Sequence, residues 1–244
     1  MLLSHECPSC LLGLSSKFND FNYYLDVLML DKSYNDYFRN NIKTTYLDCS
    51  LYERHFIRNI EDLDLDIYKS LYKKLSSLFE TYVIVPDYKD SSTKCIEEIK
   101  KFKDIKKKIL TVHGRTKKEF LDCFRYYLDN TGDDNIIAIS GIDSFCKLDS
   151  RVEILEQVNT NRKIHIFGLI NPKEIELLSE VKDKIFSLDT SLPITATIQG
   201  LKIDELKEKP NYFIFKNFHA KINLDDSFKE LLNYNLNYIK MKLK

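Results

Sequence analysis

Tryptophan is absent from this 244-residue chain, and glycine and proline are scarce, at six and five residues. No glycine-rich loop sits between a candidate strand and a helix, which argues against the dinucleotide and nucleoside-triphosphate folds that cradle phosphates with one. No uninterrupted apolar run approaches the roughly 20 residues a membrane-spanning helix needs, so no membrane partner is expected. Net charge is missing too, since 37 basic residues balance 37 acidic ones. That removes any global pull toward nucleic acid but leaves local basic surfaces open. The lysine-rich stretch 94–118 is a candidate, either as a solvated helix face or as one that contacts phosphates.

Cysteine is present but dispersed. Its six residues lack the dense spacing of a disulfide framework. Together with the lack of a signal-peptide pattern, this implies reduced thiols and a cytoplasmic setting. Cys7 and Cys10 have zinc-like spacing, yet no second pair or nearby histidine completes four ligands, so no metal is expected. Ser140-Gly141 lacks the flanking pattern of a nucleophile elbow, which leaves serine hydrolysis unsupported.

What the chain does have is a globular balance of 43% hydrophobic and 30% charged residues, at a length that suits one α/β barrel. Leu2-Leu3-Ser4-His5 opens it, with His5 able to cap a barrel base. Residues 23–30 give the first substantial strand and 32–39 a polar connector or short helix. Further strands are expected at 43–47, 82–85, 108–112, 135–140, 163–167 and 183–188. Helices are expected at 67–79, from a cap at 91–93 to 103, and at 116–128, 148–158, 172–181 and 225–236. Alternating strand, loop and amphipathic helix predicts a parallel α/β fold. The eighth strand of a barrel falls at 195–198 or 212–215, or else the sheet stays open. One domain over 1–244 is expected, with 200–244 the least defined part.

Three acids follow candidate strands: Asp48 after 45–47, Asp87 after 83–86 and Asp189 after 186–188. A barrel would deliver all three to the rim where such folds build their sites; acids in ordinary turns would give the same pattern. Asp189, followed by Thr190 and Ser191, suits a nucleophile, and Asp48 suits an acid/base partner. Asp87 can accept ring or exocyclic N–H groups of a purine-like ligand. His165, inside a strand, fits packing or hydrogen bonding better than catalysis, and His55 has no companion constellation.

At these residues the sequence resembles the tRNA-guanine transglycosylase superfamily, nearest to the short phage and bacterial members that place 7-deazaguanines in DNA. The resemblance rests on Leu47-Asp48-Cys49-Ser50, on Val85-Pro86-Asp87 through Lys94, on 166–174 with Gly168 and Pro172, and on Phe186-Ser187-Leu188-Asp189. These pieces span roughly residues 2–195. The resemblance implies a TIM (β/α)8 barrel and a pentosyltransferase that needs no cofactor. Asp189 would attack the sugar carbon of a guanosine unit, release guanine, and hold the sugar covalently. Asp48 would then help a 7-deazaguanine precursor base take guanine's place. Asp87, His113, Gly114, Gly141 and Gly168 would bind the base, with His113-Gly114 standing where many members carry glutamine-glycine. No cysteine follows Cys146, and His219 is the only histidine after Asp189, so the zinc element of the larger tRNA enzymes is not expected. DNA is therefore the expected polymer, and the chain acts alone or as a homo- or hetero-dimer. The alternatives are a tRNA-modifying subunit and a noncatalytic barrel within a modification complex.

Overall fold

The computed structural model describes residues 1–7, 9–26, 36–37, 40–41, 43–51, 63–147, 150–168, 172–206 and 222–244. Within them, eight strands form one sheet: β1 (Leu2–His5), β2 (Asn22–Leu25), β3 (Thr45–Asp48), β4 (Thr81–Ile84), β5 (Lys108–Val112), β6 (Ile136–Ile139), β7 (Ile164–Ile166) and β8 (Ser187–Thr190). Their order is β1-β8-β7-β6-β5-β4-β3-β2, and every neighbouring pair is parallel. The two ends of that order meet at a seam bridged by residues just ahead of β2. There Leu3 N donates to Asp20 Oδ2 at 2.8 Å, Asp20 N to Leu3 O at 2.7 Å, and His5 N to Asn19 Oδ1 at 2.9 Å. The sheet is a nearly closed (β/α)8 barrel of the TIM type.

Both faces of such a sheet are covered, so its strands favour apolar runs over strict alternation. Ile136-Ile137-Ala138-Ile139 is an example, fully buried along its length. The helices α1 (Leu12–Ser15), α2 (Leu65–Ser76), α3 (Ser92–Lys101), α4 (Lys117–Asn130), α5 (Ser150–Gln157) and α6 (Pro172–Glu180) are interleaved with the strands. The helices α7 (Leu192–Ile198) and α8 (Asp226–Leu243) follow β8, and α8 packs on α6 and α7. Side-chain caps start several of them: Asp64 accepts from two backbone amides of α2, Thr116 from Glu119 N, and Asp225 from Phe228 N. Helix α2 buries Tyr68, Leu71 and Leu75, and the Tyr68 hydroxyl shares its one proton between Leu47 O and Ile84 O. That pair of bonds ties the helix to the carboxyl ends of β3 and β4.

Several expectations need correction. The eighth strand does not lie beyond Asp189: residues 195–198 belong to α7, with Pro193 in its first turn. The missing strand is β1, which pairs with β8 from Leu2↔Ser187 to His5↔Thr190, and the bonds of Leu3 and His5 to Asp20 and Asn19 bring it round to β2, nearly closing the barrel. His5 therefore stands at the carboxyl end of a strand, not at the barrel base. The strand expected at 183–188 also shifts. Lys182–Lys184 is a 3-10 turn, and β8 begins at Ser187, so Asp189 lies inside the strand. The closing strand considered at 212–215, most of the connector at 32–39, the end of the first strand at 27–30, His55 and His219 lie outside the described residues.

Candidate functional site

Strand register decides which side chains point into the barrel, because residues paired across parallel strands share a face. The rings of Tyr46 on β3 and His165 on β7 lie 5.4 Å apart although these strands are not neighbours, so both face the interior. His165 is paired with Ser187 and Tyr46 with Tyr23, which puts Ser187, Asp189, Tyr23 and Asp48 on the same interior face. Ser4 joins them through its pairing with Asp189, whereas His5 and Thr190 have the opposite parity.

Asp48 is the last residue of β3. Its Oδ2 accepts from the Tyr23 hydroxyl at 2.5 Å and its Oδ1 from Ser50 N at 2.7 Å. Ser50 takes a left-handed backbone (φ 54°), which turns its amide back onto the carboxylate. Burial pushes the Asp48 carboxyl up to about 7, aided by the charges of Asp87 and Asp26 and opposed by the two hydrogen bonds. A carboxyl in that range can both give and take a proton near neutral pH. The Tyr23 phenol is driven well upward by burial, with the charges of Asp48 and then Asp189 adding to it. Tyr23 therefore stays protonated and donates.

Asp189 is only 3% exposed. Its Oδ1 bonds His165 Nε2 at 2.9 Å, and Gly168 N donates at 3.3 Å to both carboxylate oxygens. Gly168 has a left-handed backbone (φ 51°), a conformation glycine adopts without the Cβ penalty. The loop carrying it is clamped from behind. Buried Arg151 on α5 pairs with buried Glu174 on α6 at 2.5 Å and donates to the carbonyls of Phe167 and Gly168.

Asp87 and His113 form a second cluster. His113 is fully buried, with Nε2 bonded to Asp87 Oδ2 and Nδ1 to Asp143 Oδ1, each at 2.8 Å. Burial alone would lower its pKa, but the two carboxylates outweigh that and raise it to about 9. Its imidazolium is therefore the resting form, with both N–H groups committed to acids. Of this bonded pair, Asp87 is the member open to solvent, its side chain 28% exposed against none for His113. Asp143 also accepts from Asp90 N at 2.7 Å and Gly114 N at 3.3 Å.

Gly114 has a packing role of its own. A Cβ there would meet the Phe120 backbone nitrogen at 2.4 Å, so glycine allows the first turn of α4 to close against the strand end. Gly141 follows β6 and precedes the turn that delivers Asp143.

The expected acids thus share one end of the barrel and one electrostatic neighbourhood, since Asp87 bears on Asp48 and both Asp48 and Asp189 bear on Tyr23. Sequence reasoning missed Tyr23, Asp143, and the Arg151–Glu174 clamp. Five of the ten basic residues of the lysine-rich stretch form ion pairs: Lys101 with Glu98, Lys106 with Asp134, Lys107 with Glu80, Lys117 with Glu153 and Lys118 with Asp122. Among the described residues, no group of three or more His, Cys, Asp or Glu is arranged to hold a metal. Nor is any described helix long and apolar enough to cross a membrane. No protein-family model and no curated protein matches this sequence at a significant level.

Proposed function

We propose that this chain is a base-exchange transglycosylase that replaces guanine in DNA with a 7-deazaguanine precursor base. The observation that carries this reading is the contrast between two interior carboxyls. Asp48 is held near neutrality by burial, while Asp189 is anchored by an imidazole and a backbone amide. A two-step exchange needs one group that shuttles a proton and another that serves as nucleophile.

In the first step an Asp189 oxygen bonds to the anomeric carbon as the bond from that carbon to guanine breaks. The electron pair leaves with guanine, which takes a proton from Asp48. In the second step the incoming base gives its ring proton to Asp48. Its nitrogen then bonds to the same carbon, and the Asp189 ester breaks to restore the carboxylate. Protons balance over the cycle, and neither ATP nor backbone cleavage is needed. Asp87 supplies an oriented acceptor for N–H groups of the base, braced by the His113 imidazolium. Ser4 Oγ and Thr111 Oγ1 are buried and have no hydrogen-bond partner among the described residues. Both are inward by register, which suits groups awaiting a polar ligand. A duplex target would have to be flipped out of its stack to reach them.

The test is incubation of purified protein with guanine-containing DNA, or with tRNA, and labelled 7-deazaguanine precursors. Incorporation into DNA that Asp189→Ala abolishes, with a denaturation-resistant adduct on wild type, supports the reading. Incorporation into tRNA alone moves the assignment to the RNA enzymes. The 3% exposure of Asp189 favours a second reading, a noncatalytic barrel in a modification complex. Nucleic-acid binding with neither adduct nor exchange would establish it.

A further inference from the structure

A buried chain of hydrogen bonds runs across the barrel beneath Asp189. The Tyr46 hydroxyl lies 3.0 Å from Ser187 Oγ, Ser187 Oγ lies 2.9 Å from His165 Nδ1, and His165 Nε2 lies 2.9 Å from Asp189 Oδ1. Tyr46, Ser187 and His165 are each fully buried. Bulk solvent does not reach these side chains, so each polar atom needs its partner.

With Asp189 a carboxylate and His165 a neutral imidazole the chain has one direction: Nε2 donates to Asp189, Nδ1 accepts from the Ser187 hydroxyl, and Ser187 in turn accepts from Tyr46. The ring itself is held by aromatic edges: Phe167 at 4.6 Å, Tyr46 at 5.4 Å and Phe21 at 6.1 Å between centroids, each close to perpendicular. An imidazole boxed in this way presents its N–H in one direction only.

We propose that His165, oriented by Ser187 and Tyr46, is a positioning residue that selects which Asp189 oxygen reacts. Oδ1 receives both the imidazole and the Gly168 amide, whereas Oδ2 has the amide alone at 3.3 Å. Oδ2 is therefore the less committed oxygen and is the one turned to the sugar carbon. Oδ1 becomes the ester carbonyl of the intermediate, still held by the same N–H. When the second step breaks the ester, negative charge returns to a carboxylate whose donors are already in place. The choice of reacting oxygen rests on the base-exchange reading, whereas the His165–Asp189 bond that makes the choice does not.

Three variants separate positioning from mere packing. His165→Phe keeps a ring and removes both nitrogens, His165→Gln restores an amide donor toward Asp189, and Ser187→Ala cuts the next link. In the incorporation assay, kcat of His165→Phe is expected to fall about 100-fold with KM changed less than about threefold, the scale of a lost preorganised contact. His165→Gln should recover about tenfold of that loss, and Ser187→Ala should lie between wild type and His165→Phe. If His165→Phe does not melt cooperatively, the other two variants carry the comparison. A loss confined to KM, or a His165→Gln rate at or below that of His165→Phe, overturns the assignment.

If wild type exchanges no base at all, the base-exchange reading fails by itself. Nitrogen NMR of histidine-labelled protein then decides whether His165 holds Asp189 through Nε2. A slowly exchanging Nε2 proton that is lost or moves to Nδ1 in Asp189→Ala supports it. An imidazole indifferent to Asp189→Ala refutes it.

Discussion

Replacing Asp48 with asparagine should stabilise this protein at alkaline pH while abolishing base exchange. The ordinary carboxyl value is 3.8 and the folded-state value about 7. Between them the folded protein keeps a proton that the unfolded chain has released, so stability is lost as pH rises through this window and does not return above it. At about 1.36 kcal/mol per unit the full gap is about 4 kcal/mol, and water at the barrel mouth screens it to about 2–4 kcal/mol. Asparagine occupies almost the same volume, can still accept from Ser50 N, and never ionises. For a chain of this length, each kcal/mol moves Tm by roughly 2–4 °C, so Asp48→Asn should melt about 5–15 °C above wild type at pH 8. At pH 4 the two should nearly coincide. Calorimetry of both proteins at the two pH values is the assay. A melting difference equal at pH 4 and pH 8 would refute the electrostatic reasoning, whatever its size.

The Tyr23 hydroxyl favours the ionised form of Asp48. Removing it in Tyr23→Phe should raise that carboxyl by about 1–2 units, the worth of one hydrogen bond to a charged group. The first step needs Asp48 protonated, so the alkaline limb of kcat/KM for the DNA substrate should move to higher pH by the same amount; an unmoved limb would separate Tyr23 from the proton shuttle. Asp143→Asn should destabilise through His113. Because His113 titrates at about 9 when folded, against 6.5 for the free side chain, the contribution is complete below about pH 6.5 and lost as pH rises through 9. Chemical denaturation of wild type and variant across that range should show the gap narrowing with pH. Gly114→Ala meets backbone at 2.4 Å, whereas Gly132→Ala meets nothing within 4 Å. The first should cost about 2–4 kcal/mol and the second less than about 1 kcal/mol in urea unfolding.

The parts of the fold that could be read from sequence are those where burial writes itself into composition. β4, β5 and β6 are apolar runs closed by proline, glycine or polar turns, and their positions were clear. β1 escaped because Leu2-Leu3-Ser4-His5 is four residues long and half polar, too short for any period to register. β8 was misplaced for a related reason. The apolar residues Ile185 and Phe186 precede the strand, while its inward positions carry Ser187 and Asp189. The acids were visible as residues at strand ends. Their partners were not, because Tyr23 lies 25 positions from Asp48 and Asp143 lies 30 from His113. The sequence does carry a signal for His165: a histidine flanked by isoleucines in β7 takes the inward register of a parallel strand.

The interior of the barrel is chemically lopsided. The inward positions of β5 and β6 include Ile109, Ile136 and Ala138, the small and branched apolar residues that usually fill such a barrel, with Thr111 as a lone hydroxyl among them. Across from them, β1, β2, β3, β7 and β8 turn Ser4, Tyr23, Tyr46, Asp48, His165, Ser187 and Asp189 inward. Stability alone does not account for this half. Each buried polar group costs free energy unless it is paired, and replacing a buried polar network with apolar residues is often neutral or stabilising. The network nonetheless holds one carboxyl near neutrality and fixes another by a single oriented imidazole. Two acids kept chemically distinct within one barrel mouth match what acid/base and nucleophilic work require of a pair, and packing requires neither.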